Sequence, residues 1–195
     1  PFVIHALERA GRAGIGRGRR PLQLREVSQE GDGGWWPVHR PGQPIASRGT
    51  AAPAAPAPSA AVALELLTPL RLVRDGRPLR PRALTFRDLF SSLLRRVSML
   101  TYFHTDTPLE TDFAALVRRA EGVALQADGL HHHPWERWSG RQRRHVAMDG
   151  LTGTLVLGGD DLAPFWPYLW LGQWTHAGKG TSMGLGAYRL TAAEA

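Results

Sequence analysis

Residues 37–60, PVHRPGQPIASRGTAAPAAPAPSA, hold six of the chain's 15 prolines and almost no large apolar side chain. Such a stretch cannot bury enough surface to offset the entropy of ordering it. It reads as a linker or a long exposed loop, and it divides the chain into a short first piece, 1–36, and a larger second piece, 61–195. The first piece opens PFVIHALERAGRAG, with Phe2, Ile4, Ala6 and Leu7 apolar, and reads as a helix already under way. The expectation is that upstream sequence precedes Pro1.

The second piece can be followed element by element. AVALELLTPL alternates and predicts a strand near 61–67, ending at Pro69. Asp75-Gly76, between arginine-rich arms, predicts a hairpin. LTFRDLFSSLLRRVSMLTYF is apolar at 86, 89, 90, 93, 94, 97 and 100, which predicts an amphipathic helix of about five turns, with Thr85 as its cap. A second helix is expected at roughly 110–120. EGVALQADGL reads as a strand, and RRHVAMDGLTGTLVLGG as a strand with a glycine irregularity. DLAPFWPYLWLGQWTH predicts a helix capped by its leading Asp161, and GLGAYRL a short final strand. The fold class is α+β. The order, β–α–β–β–α–β, is that of a ferredoxin-like, RRM-like domain, with two helices on one face of an antiparallel sheet and the other face open. Residues 1–28 repeat the closing pattern of helix, glycine-rich loop and short strand. Residues 1–36 therefore read as the end of a first, incomplete ferredoxin-like domain placed in tandem with the second.

The chain has no cysteine, which excludes disulfides and thiolate metal sites and fits a reducing cytoplasm. It has neither a signal-peptide pattern nor an apolar run of membrane-spanning length. Its net charge is +7. Two readings of that excess stand side by side: a polyanionic partner, above all nucleic acid, or an arginine-favouring genome. The charge is clustered, which favours the partner. Residues 71–96 hold eight arginines and two aspartates, and residues 12–25 hold Arg12, Arg17, Arg19, Arg20 and Arg25 with no acid.

The single lysine of the chain, Lys179, lies in THAGKGTSMGLGAYRL, residues 175–190. Two phosphate motifs fail here. Gly172 and Gly178 are one residue too far apart for a P-loop, and Gly178 to Gly184 is one residue too long for a dinucleotide fingerprint. Both would also need a strand before and a helix after, the reverse of this context. What remains is a loop in which Gly178, Gly180, Gly184 and Gly186 let the backbone approach a ligand, Thr181 and Ser182 supply hydroxyls, and Lys179 supplies a point charge. The other reading is a tight helix-to-strand turn.

HAGKGTSMGLGAYRL resembles the C-terminal glycine-rich signature of the CRISPR-associated RAMP superfamily, and more narrowly of its pre-crRNA-processing endoribonucleases. ALERAGRAGIGRGRRPLQLREV, RRVSMLTYFH and WERWSGRQRRHVAMDGLTGTLVL ahead of LAPFWPYLWLGQW extend the resemblance over the chain outside 37–60. The resemblance implies tandem ferredoxin-like domains holding CRISPR repeat RNA. It implies cleavage of the precursor without metal or cofactor, by attack of a 2′-hydroxyl on the adjacent phosphate, to give crRNA. A histidine would serve as acid or base, and Lys or Tyr would stabilise developing charge. In many members that histidine lies in the first domain. A different class of function is a RAMP-type subunit that holds crRNA in an interference complex, among other effector subunits, without cutting it.

The candidate residues follow. His176, three residues before Lys179, and His104, at the end of the long helix, are candidate acids or bases; the dipole at a helix C-terminus explains a histidine equally well. His5 and His39 are weaker candidates. Arg141, Arg143 and Arg144 are expected to grip RNA backbone, as are Arg17 and Arg19, and His145 to touch phosphate. Trp166, Trp170 and Trp174 have core spacing; a base could stack on Trp135 or Trp138. Three adjacent histidines, His131 to His133, cannot all face one ion from a strand, so no metal site is expected and an exposed loop is.

Overall fold

The computed structural model describes residues 1–31, 34–46, 49, 54–59, 61–158 and 162–193. Two compact units divide at Ala54/Ala55. In the first, α1 (Phe2–Ala13) is followed by a turn closed by the Ile15–Arg20 bridge and by a hairpin of β1 (Val27–Gly31) and β2 (Gly34–His39). The short strand expected by residue 28 is here the start of a hairpin, beginning at Val27. β2 also runs three residues into the stretch read as a linker, because Trp35, Trp36 and Val38 suit a pleated surface better than the prolines after them. His39 is buried, with Nε2 3.3 Å from a carboxylate oxygen of Glu8.

The second unit runs as β3 (Ala61–Leu70), the small hairpin β4 (Val73–Arg74) and β5 (Arg77–Pro78), α2 (Phe86–His104), α3 (Phe113–Arg119), β6 (Ala124–Gln126), β7 (Leu130–His133), β8 (Glu136–Ser139), β9 (Arg144–Ala147), β10 (Gly150–Gly158), α4 (Trp166–Thr175) and β11 (Tyr188–Ala192). The sheet order is β11–β3–β10–β6, with β7 pairing the other end of β10, and every pair is antiparallel. With β6 and β7 taken as one interrupted strand, this is the β–α–β–β–α–β order of the ferredoxin-like fold, and the two long helices pack together on its core face.

Alternation places the core. Val62, Leu64, Leu66 and Leu70 of β3 and Leu151, Leu155 and Leu157 of β10 are buried on the helix side. Against them lie Phe86, Leu89, Phe90, Leu93 and Leu94 of α2 and Leu169 of α4. Phe90 packs edge-on to Phe165 and to Tyr168, with ring centres 4.7 and 5.5 Å apart. The opposite face carries Ala63, Glu65, Thr154, Val156 and Arg189.

Three sequence expectations are corrected. β3 does not stop at Leu67: it continues through Pro69 because Leu151 pairs with Leu70 and Gly153 with Leu66, so one intervening residue of β10 faces three of β3, and the extra residues bow outward. The three histidines are an edge strand, paired with Gly150–Gly153, and not a loop. Trp166 is buried but Trp174 is half-exposed, since α4 ends at the surface. The expected cap at Asp161 lies outside the described residues.

α2 starts with a reciprocal cap. The Thr85 hydroxyl accepts from the Asp88 amide, and the Asp88 carboxylate accepts from the Thr85 amide at 3.0 Å. Asp88 also accepts from Arg74 Nε at 3.0 Å. Burial raises the Asp88 pKa, but the hydrogen bonds from Arg74 and Thr85 outweigh it and hold the group below its ordinary value. Its stabilisation is therefore complete above the ordinary carboxylate range and is lost as pH falls through the lower folded value. Thr85→Ala is expected to cost about 1 kcal/mol in urea unfolding at neutral pH, and less in acid once Asp88 is protonated. An equal loss at both pH values would contradict the coupled cap.

Candidate functional site

The loop from His176 to Ala187 joins α4 to β11. α4 ends at Thr175 because His176 turns to φ 61° while its amide closes back on the Gly172 carbonyl at 2.8 Å. Beyond it, the four loop glycines all have positive φ, between 74° and 87°. At Gly186 the requirement is absolute: a Cβ would sit 1.8 Å from the carbonyl oxygen of Ala177, the residue whose amide donates to Gly186 O at 3.0 Å. At Gly178 a Cβ would lie 2.4 Å from the Arg71 carbonyl oxygen.

The loop is tied to residues 67–71, the bowed end of β3 and the residue after it, by six hydrogen bonds. The Leu67 amide donates to Ala187 O, Ala187 N to Thr68 Oγ1, Thr68 Oγ1 to Gly184 O, Gly186 N to Pro69 O, and Lys179 N to Arg71 O, at 2.8–3.0 Å, and the Thr68 amide to Ala187 O at 3.3 Å. Gly178 N donates to Ser92 Oγ of α2 at 2.8 Å. The amides of Gly178, Gly184 and Gly186 are thus engaged within the protein, which corrects the expectation that successive loop amides face a ligand. Among the described residues, the amides of Gly180, Thr181 and Ser182 have no such partner. These three lead into a single 3₁₀ turn, Thr181–Met183.

Lys179 is exposed, and it looks onto a cleft of about 980 Å³ between the loop, one face of α2 and the β4–β5 hairpin. Six cations line it: Arg71, Arg74, Arg87, Arg95, Arg96 and Lys179, against Asp75, Asp88 and Glu121. The helix residues fall at Arg87, Ser91, Arg95 and Met99, and at Asp88, Ser92 and Arg96, two adjacent rows four residues apart. Most of the cations are committed. Arg74 binds Asp88, Arg87 lies 3.0 Å from Glu121, and Arg96 Nε donates to the Thr175 carbonyl at 3.1 Å. Arg71 donates to the Ala147 carbonyl and lies 3.5 Å from Asp149. Asp149 also accepts from His132 Nε2 at 3.1 Å; that hydrogen bond, helped by Arg71, keeps its pKa low. Among the described residues, Arg95 and Lys179 have no ion-pair partner. They are the two charges this cleft offers to an anion.

The other residues singled out in the sequence lie elsewhere. His176 does not line the cleft. Its Nδ1 is 3.2 Å from the Leu185 carbonyl, which fixes that nitrogen as the protonated one in the neutral ring. His104 is exposed at the far end of α2, about 13 Å along the axis from Arg95. Arg141, Arg143 and Arg144 are exposed on the β8–β9 hairpin, and His145 stands on β9. Arg17 and Arg19 are exposed in the turn after α1, in the first unit. From the sequence Arg71, Arg74 and Arg87 are not singled out, and Arg95 and Arg96, on the polar side of the long helix, can be read as simply solvated. The signal was there in the eight arginines of 71–96, whose helical members share one face.

Among the described residues, no group of metal-ligating side chains is gathered, and no helix is long and apolar enough to cross a membrane. No curated protein matches the chain. Solved structures do. A Cas6 of Thermus thermophilus is 19% identical over 68% of this chain and 53% of its own, with a TM-score of 0.50, and it shares the fold. A Cas6 product complex is 23% identical over 69% of this chain and 52% of its own, with a TM-score of 0.47. A partial Cas6-RT-Cas1–Cas2 complex is 19% identical over 68% of this chain and 22% of its own, also at 0.47. The chain thus spans about half the length of the Cas6 structures it matches. A family description, CRISPR-associated endoribonuclease Cas6, matches residues 64–188, from the core-facing Leu64 of the first sheet strand to Tyr188, the first residue after the glycine loop. That span runs from within β3 to the first residue of β11 and holds all the cleft cations, and the chain belongs to the CRISPR-associated endoribonuclease Cas6 family.

Proposed function

We propose that this protein binds CRISPR repeat RNA and takes part in cutting the precursor transcript into crRNA without metal. The observation that carries the reading is the cleft in which Arg95 and Lys179 stand without partners, within the span matched by the Cas6 family. Two adjacent backbone phosphates suit two such cations, and the hydroxyl and amide of Thr181, which lines the cleft, with those of Ser182 next to it in the chain, suit their oxygens. In the proposed step the 2′-hydroxyl oxygen attacks the neighbouring phosphorus and loses its proton to a base. The bond from phosphorus to the 5′-oxygen breaks, and that oxygen takes a proton from an acid. The products are a 2′,3′-cyclic phosphate and a 5′-hydroxyl. Lys179 would stabilise charge on the non-bridging oxygens. Its partner in acid–base work is proposed to be His176 or His104, or a histidine outside this chain. Residues 1–36 are proposed to close a first ferredoxin-like domain, with Arg17 and Arg19 on RNA, and other CRISPR effector proteins are proposed partners.

One observation favours a second reading, a subunit that holds crRNA without cutting it: neither His176 nor His104 lines the cleft. Labelled repeat RNA incubated with the protein in EDTA separates the two. A single cut ending in a cyclic phosphate is the expected result. Tight binding of RNA that stays intact would establish the subunit instead, and no binding would end both.

A further inference from the structure

The β8–β9 hairpin is inserted between the two strands β7 and β10 and pairs with no other strand among the described residues. Over residues 136–147 it carries four arginines and one carboxylate. Its register sets Trp138 opposite His145, with ring centres 5.3 Å apart and planes at 70°. Glu136 stands on the same face, with its carboxylate 3.7 Å from His145 Nδ1. Trp138 is 57% exposed, and Trp135, just before β8, is 42% exposed. An indole left this open is not core, and beside arginines it makes a surface suited to a base and its phosphates. The turn adds a second sign. The Gln142 amide closes on Ser139 Oγ at 3.3 Å, and Arg143 then adopts φ 50°. Glycine would hold that left-handed conformation without strain, so the arginine is kept there at a cost in backbone energy.

We propose that Trp138, propped by His145, is a stacking platform for an unpaired RNA base, and that Arg141, Arg143 and Arg144 hold the phosphates on either side of it. The proposal rests on the RNA-binding reading above and extends it to a second point of contact, on an element separate from the glycine loop. Its chemistry is that of single-stranded recognition: an aromatic ring accepts any base by its π face, and the guanidinium groups neutralise the backbone. A structural alternative exists, because a cross-strand Trp–His pair also steadies a two-stranded hairpin. The two differ in how salt affects binding.

The test compares the parent protein, Trp138→Ala, Trp138→Phe and Arg143→Ala in equilibrium titrations of fluorescent repeat RNA over a range of salt concentrations. A second RNA series carries one abasic nucleotide moved stepwise through its unpaired segments. Trp138→Ala is expected to weaken binding about tenfold with an unchanged salt slope, since an indole displaces no counterion. Trp138→Phe should restore most of the loss, and Arg143→Ala should lower the slope by about 0.7. One abasic position should weaken the parent and leave Trp138→Ala indifferent. Unchanged affinity in Trp138→Ala overturns the proposal, and so does a fall in its salt slope, which would mean that the hairpin had lost its shape. RNA binding as in the parent together with loss of a protein partner would reassign the surface to that partner. If the parent itself binds no RNA, the RNA-binding reading fails first and takes this one with it.

Discussion

Reversing both unpaired cleft charges, Arg95→Glu with Lys179→Glu, is expected to weaken binding of repeat RNA by about a hundredfold or more near physiological salt. Each phosphate contact to a single strand contributes about 0.7 to the slope of log affinity on log salt, so losing two removes about 1.4, and the new carboxylates add repulsion. Both side chains are exposed and bear no packing, so urea unfolding should move by no more than about 0.5 kcal/mol. The measurement is a set of titrations at several salt concentrations beside an unfolding curve. A double variant that keeps the parent slope would remove the cleft from the RNA path. The choice of these two matters, since the other four cations already serve Asp88, Glu121, Asp149 and backbone carbonyls. Removing one of those would confuse lost binding with lost structure.

Gly186→Ala should destabilise the second unit by about 3 kcal/mol or more. Left-handed backbone costs a non-glycine residue about 1–2 kcal/mol, and forcing an atom into a filled space costs about 1–3 kcal/mol. Here the obstacle is the Ala177 carbonyl, a main-chain atom that no rotamer change can move aside. Gly184→Ala is the natural control: its φ is also positive, 87°, but nothing lies within 4 Å of the added carbon, so only the backbone cost applies. Thermal and urea unfolding of the two variants should differ by about the cost of that overlap. Equal stabilities would show that the loop relaxes freely.

The sequence made the fold readable where two signals agreed. The apolar spacing from Phe86 to Leu100 and the Thr85 cap located α2, and Asp75-Gly76 located the β4–β5 turn. The order of elements then pointed to the ferredoxin-like arrangement. It was less informative where an edge strand mimics a loop. His131 to His133 have no apolar alternation, and only pairing with β10 makes them a strand. Pro69 reads as a terminator, yet a bowed strand end tolerates a residue that cannot donate to the ladder. The site was legible in part. Lys179 stood out because it is the chain's one lysine beside 23 arginines. The fate of the loop amides was hidden, because their acceptors, Arg71, Pro69 and Thr68, lie over a hundred residues away in the chain. The apparent pairing of His176 with Lys179 came from sequence distance alone; the turn at His176 leads its ring to the Leu185 carbonyl instead.

The six bonds between residues 67–71 and the glycine loop have a kinetic consequence. A glycine-rich segment in a free chain samples many conformations, and a partner that must freeze it loses affinity in doing so. Here that freezing was completed when the domain folded, so a nucleic acid strand would meet a rigid template. Encounter rates there should be set by diffusion and charge steering rather than by slow rearrangement of the main chain. The amides of Lys179, Gly186 and Ala187 should accordingly resist exchange with deuterium almost as well as the sheet beside them.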